Sequence, residues 1–96
     1  MNAKEILKSK RDEIIHISQL HGVSNLRLFG SIARGEAGRE SDIDLLVELS
    51  PAASLLDLIA LKNKIEDLTG CKVDLVTEAA VSPYIRDQIL RESVAI

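Results

Sequence analysis

The stretch Gly30-Ser31-Ile32-Ala33-Arg34-Gly35-Glu36-Ala37-Gly38-Arg39-Glu40-Ser41-Asp42-Ile43-Asp44 joins two apolar runs through a turn, a loop and a pair of aspartates. The first run, Leu26 to Phe29, stops at a Gly-Ser pair. The second enters through Asp42 and Asp44. If it is a strand, side chains alternate, so Asp42 and Asp44 share one side while Ile43 and Leu45 take the other. Two carboxylates about 4 Å apart at an effective dielectric near 20 repel by roughly 4 kcal/mol. A chain keeps such a pair where it is solvated, shares a proton or holds a cation. The glycine turn just upstream, with free backbone N–H groups, points to the cation's companion: a phosphate.

Working outward, the chain reads as one small layered domain. Residues 3–21 place Ile6, Leu7, Ile14, Ile17 and Leu20 among charged residues, a spacing that predicts a helix with one buried stripe, closed by Gly22. Val23 to Phe29 predicts a strand, and Ser31 is placed to cap a short helix through Arg34, with Gly35 and Gly38 marking a loop. Ser41 to Leu49 predicts a second strand. Residues 54–69 carry Leu58, Leu61, Ile65 and Leu68 at helical steps and stop at Gly70. Lys72 to Thr77 predicts a third strand bearing Asp74, and Ser82-Pro83 opens a last helix.

The expected fold class is α/β (α+β): a small mixed β-sheet with helices packed on one face. Asp42, Asp44 and Asp74 are expected on the other. All of residues 1–96 is expected to form a single domain, because the chain is too short for two. Its composition is 46% hydrophobic but only 2% aromatic, so the core must be aliphatic.

A net charge of -3 argues against a protein that coats nucleic acid, which would show a basic face. The lone cysteine, Cys71, forms no internal disulfide and fits a reducing compartment. No apolar run approaches the 18 or so residues of a membrane span, and the N-terminus runs into an amphipathic pattern, so the expected location is cytoplasmic.

The chemistry these residues suit is nucleotidyl transfer. A nucleoside triphosphate is heavily anionic, and two Mg²⁺ ions offset that charge, activate an attacking hydroxyl and stabilise leaving pyrophosphate. Mg²⁺ takes oxygen ligands and keeps waters, so a few carboxylates on a rigid strand suffice. Asp42 and Asp44 supply them, and Asp74, on a neighbouring strand, would complete a second metal site and accept the proton of the attacking hydroxyl. Gly30 and Ser31 would offer N–H groups and a hydroxyl to the distal phosphates.

Gly30-Ser31, ten intervening residues and Asp42-Ile43-Asp44 match the Gly-Ser…Asp-x-Asp signature of the polymerase-β-like nucleotidyltransferase superfamily. The fuller wording from Phe29-Gly30-Ser31-Ile32-Ala33-Arg34-Gly35-Glu36-Ala37 to Ser41-Asp42-Ile43-Asp44-Leu45-Leu46-Val47 resembles its minimal nucleotidyltransferase branch over nearly the whole chain. The resemblance implies that Gly30 and Ser31 bind triphosphate, with Arg34 as a further phosphate contact, and that Asp42 and Asp44 bind metal. Asp74, in Lys72-Val73-Asp74-Leu75-Val76, matches the family's third carboxylate. It further implies a small all-helical HEPN partner, a ribonuclease toxin, one of whose tyrosines receives AMP from ATP, with this chain as the antitoxin.

Other readings stay in view. The chain could neutralise a partner by occlusion, with the nucleotide site unused. It could transfer nucleotides to RNA ends or small molecules, although the acidic balance and the lack of stacking aromatics disfavour RNA and the expected lack of an extra helical domain disfavours a small-molecule acceptor. Glu36 and Glu40 read as solvated loop charges, His16 and His21 as surface or structural residues, and Tyr84 as a helix-surface residue. The aliphatic stripes read as core, with an oligomer or toxin interface as the alternative.

Overall fold

The computed structural model of the chain describes residues 3–33 and 42–96, with the backbone alone at Ser31 and Ile32. Arg34 lies outside the described residues, as does Ser41.

The helix expected over residues 3–21 is two helices, α1 (Ala3–Ser9) and α2 (Arg11–Leu20). They meet at Lys10, whose backbone sits at φ -105, ψ 8. Ser9 turns its hydroxyl onto the Ile6 carbonyl at 2.8 Å, and a hydroxyl competing for backbone partners loosens a helix locally. The two helices bury different rows: Ala3 and Leu7 from α1, Ile14 and Ser18 from α2. Leu20, expected in the stripe, is 71% exposed. It lies two residues beyond Ser18, about 200° round the helix.

Strand β1 (Val23–Phe29) leads into the one-turn helix α3 (Gly30–Ala33), and β2 (Ile43–Leu49) leads into α4 (Leu55–Thr69). Asp57 starts α4 by accepting the Ser54 N–H at 2.8 Å, and Gly70 ends it in the left-handed region at φ 71. Strand β3 (Val73–Thr77) follows, then a turn of 3-10 helix (Glu78–Ala80), α5 (Pro83–Glu92) and β4 (Val94–Ala95). Ser82 caps α5 as expected, its hydroxyl accepting the Tyr84 N–H at 3.3 Å. The 3-10 turn and β4 have no counterpart in the sequence reading.

The sheet is mixed, in the order β3-β2-β1-β4. β1 runs antiparallel to β2 and β4, and β2 runs parallel to β3 through the crossover helix α4. On one face Leu28, Ile43, Leu45, Val47 and Val73 meet Leu7, Ile14, Leu61 and Ile65 from the helices. The core is aliphatic, as composition requires. No helix among the described residues is long and apolar enough to cross a membrane.

The sheet's second face is partly covered. Leu46, alternating with Leu45 and Val47, is 2% exposed yet stands outside that core cluster. Arg27, also on this side, donates from Nε to Ser93 Oγ at 2.7 Å, tying the end of α5 across the sheet. The area left for chemistry is the end of this face where β2 and β3 begin.

That end is pinned by one carboxylate. Ile43 N–H donates to the Lys72 carbonyl at 2.8 Å, and Glu66 of α4 accepts the Val73 N–H at 3.0 Å, with Lys62 Nζ 3.4 Å away. The Val73 N–H bond, followed by Lys62 and then Lys72, lowers the Glu66 pKa against a smaller opposing effect of burial. A carboxyl depressed on folding stabilises the fold above its ordinary value of about 4.5, and that contribution disappears as pH falls through the folded value. Glu66→Gln should therefore melt a few degrees below the parent at pH 7, and the gap should close towards pH 3 in thermal melts followed by circular dichroism.

Candidate active site

Parallel pairing of β2 with β3 sets Asp44 opposite Asp74, and antiparallel pairing with β1 sets Phe29 on its other flank. Asp44 thus sits mid-sheet, half-buried, while Asp74 is exposed on the outer strand. Asp42, half-buried, stands just ahead of β2 rather than inside the strand. Burial first, then the charge of Asp74, then that of Asp42, raises the Asp44 pKa above its ordinary 3.8. The three aspartates expected to act together are electrostatic neighbours. Among the described residues no ion pair neutralises any of them.

The glycine turn meets the aspartates directly. After Phe29 the chain takes a left-handed step at Gly30, φ 78, a conformation open to glycine at little cost. A Cβ built there would collide with the Asp44 carboxylate oxygen and stand 3.3 Å from its Cγ. So Gly30 lies flat against the Asp44 carboxylate for two separate reasons, backbone conformation and space. Helix α3 is a single turn, too short to supply acceptors within the helix for its first N–H groups. The Ser31 hydroxyl and all of Arg34, expected to touch phosphate, lie outside the described residues.

Among the described residues no three acidic, His or Cys side chains close into a group that would hold a metal unaided. The donor set nevertheless suits Mg²⁺, which is commonly held by one or two carboxylates together with substrate phosphates and waters rather than by an all-protein cage. A cleft of about 650 Å³ lies at the other end of β2 and β3 beside Pro51, Thr77 and Arg86. None of the three aspartates lines it.

Two positions near the site went unread in the sequence. Leu46 falls on the aspartate side of β2, and an apolar residue there was the available sign that part of this face is covered. Glu66, which fixes the start of β3, gave no local sign, because its partner is the backbone of Val73 seven residues on.

This geometry is matched by comparison with known proteins. The pattern defining the Nucleotidyltransferase domain family covers residues 3–96. The protein adenylyltransferase MntA of Thermococcus cleftensis is 41% identical over 75 residues, covering 78% of this chain and 76% of that one. A solved structure of an inferred minimal nucleotidyltransferase superposes with TM-score 0.89 at 41% identity, covering 100% of this chain and 97% of that one. A toxin–antitoxin crystal structure with AMP-PNP superposes with TM-score 0.67 at 26% identity, covering 99% of this chain and 72% of that one. The chain belongs to the nucleotidyltransferase family, in its minimal branch, and it is an enzyme whose relatives are named protein adenylyltransferases.

Two substitutions test the geometry. Gly30→Ala should cost about 1–3 kcal/mol from the left-handed backbone alone, read by urea unfolding, and should displace Asp44. Asp44→Asn should instead stabilise the fold by about 1 kcal/mol at pH 7 in EDTA, a small effect because the site is half-open to solvent. A carboxyl raised on folding costs stability once pH exceeds its unfolded value, so this advantage should vanish as pH falls towards about 3.8.

Proposed function

We propose that the chain transfers AMP from ATP to a tyrosine hydroxyl of a small helical HEPN-family toxin and so acts as its antitoxin. The observation that carries this is Asp44 held between Asp74 and the Gly30 turn, with Asp42 at the strand mouth. In this reading Asp42, Asp44 and Asp74 hold two Mg²⁺ ions, which supply charge neutralisation to the triphosphate and its leaving group. Gly30 and Ser31, with Arg34, receive the β- and γ-phosphates. The tyrosine oxygen forms a bond to the α-phosphorus as the bond from that phosphorus to the bridging oxygen breaks, and pyrophosphate leaves. The tyrosine proton passes to Asp74, which is exposed on the outermost strand where an acceptor from another protein can reach it.

The relative named as a protein adenylyltransferase and the toxin–antitoxin structure with AMP-PNP support the acceptor class and the nucleotide. Residues 1–96 act as a single domain in the cytoplasm, where Cys71 stays reduced. Leu55, Leu56 and Ile59 on α4, each more than half exposed, support contact with a partner or a second copy. The second reading, a non-catalytic binding module that occludes its toxin, rests on that same exposed face.

The test incubates the chain with the helical protein encoded beside it, ATP and Mg²⁺, and weighs the partner. A gain of AMP on tyrosine that falls by about 100-fold or more in Asp42→Ala and Asp44→Ala is expected, as is its loss on chelation. Full neutralisation of the toxin by Asp42→Asn, without any mass gain, would favour occlusion.

A further inference from the structure

Strand β4 is the outer strand at the edge away from the aspartates, three strand spacings or about 14 Å from β3. Beside it runs a groove of about 310 Å³ with an apolar floor that includes Leu7, Leu28 and Val94. Lys4, Lys8 and Arg11 stand over the same groove. Lys4 and Lys8, four residues apart on α1, share one face of that helix. Among the described residues neither is paired with a carboxylate, while Arg11 holds only Asp12, which is 96% exposed. A chain of net charge -3 has thus gathered three cations around one apolar slot next to a strand edge that no other described strand pairs with.

We propose that this groove receives an extended acidic segment of a partner protein, added to the sheet as a fifth strand on β4. Main-chain hydrogen bonds to the β4 edge would supply affinity, and alternate apolar side chains entering the floor would set register. Carboxylates on that same inward face, beyond the apolar floor, would meet Lys4, Lys8 and Arg11, since the positions in between point to the other side of the sheet. Charge selects the occupant: an apolar segment alone leaves the cations unused, and a basic one is repelled. A nucleic acid fits less well, since the slot has no aromatic face on which bases could stack. The proposal is independent of AMP transfer, because the groove lies on the helix side of the sheet at β4, whereas the aspartates stand on the other face at β2 and β3.

The test uses the full chain and three fluorescent probes: an eight-residue peptide in which every second residue is in turn valine or glutamate, with serine between them, its counterpart with lysine for glutamate, and a single-stranded RNA oligonucleotide. Anisotropy should show binding of the acidic peptide alone, weakened several-fold on raising NaCl from about 0.05 to 0.5 M. Lys4→Glu with Lys8→Glu should lower its affinity at least tenfold, and the amide NMR signals of Val94 and Ala95 should shift and gain exchange protection. Should that double variant fail to fold, the neutral pair Lys4→Gln and Lys8→Gln and the wild-type amide shifts decide the matter. No binding, equal binding of the lysine peptide or the RNA, indifference to charge reversal, or shifts confined elsewhere would each overturn the proposal.

Discussion

Everything at the candidate site follows from one repulsion. Asp44 and Asp74 are forced side by side by the parallel pairing of β2 with β3, and Asp42 adds a third charge at the strand mouth. Parallel strands require a crossover, here α4, whose apolar row of Leu61 and Ile65 packs beneath the same two strands. The hydrophobic energy that seats α4 is therefore what holds two like charges in register. Burial of Ile43, Leu45 and Val73, each 0% exposed, makes that register costly to escape, since a one-residue slip would turn those side chains out and the aspartates in.

The Gly30 turn adds a steric constraint to this electrostatic one. Its bare Cα rests against Asp44, so the loop that would carry phosphate and the strand that would carry metal are fixed relative to each other by contact. Position 30 is closed to side chains by conformation and by space together. The result is a site whose stability cost is local and whose rigidity comes from the strands beneath it, as preorganised sites require.

Much of this was legible before any coordinates. Strict alternation around Asp42-Ile43-Asp44, the Gly30-Ser31 turn, clean stop signals at Gly22 and Gly70 and the start signal at Ser82-Pro83 are local features, and local features survive folding. The misses have tertiary causes. Nothing in residues 3–21 announced the bend at Lys10, because the Ser9 hydroxyl bond that accompanies it is one of several a serine can make. Strand β4 is two residues long and exists only because β1 offers an edge. That Asp74 would face Asp44 depended on strand order, which a pattern of three short strands leaves open. The Ser31 hydroxyl and Arg34 were named from sequence and lie outside the described residues.

The placement of the acids also bears on how an acceptor would arrive. Asp44 is half-buried between two strands, whereas Asp74 is exposed on β3, which among the described residues has a neighbouring strand on one side only. A nucleophile brought by another protein meets least obstruction across that open edge, and would encounter Asp74 before Asp44. A general base at the entrance would meet the hydroxyl before the phosphorus does, and a carboxylate that would hold metal belongs deeper, where solvent screens it less. The graded exposure of the two carboxylates is compatible with the proposed transfer to a protein acceptor. A template-copying enzyme would instead need further surface to grip a second nucleic acid strand, and the acidic balance of this chain is poorly suited to provide it.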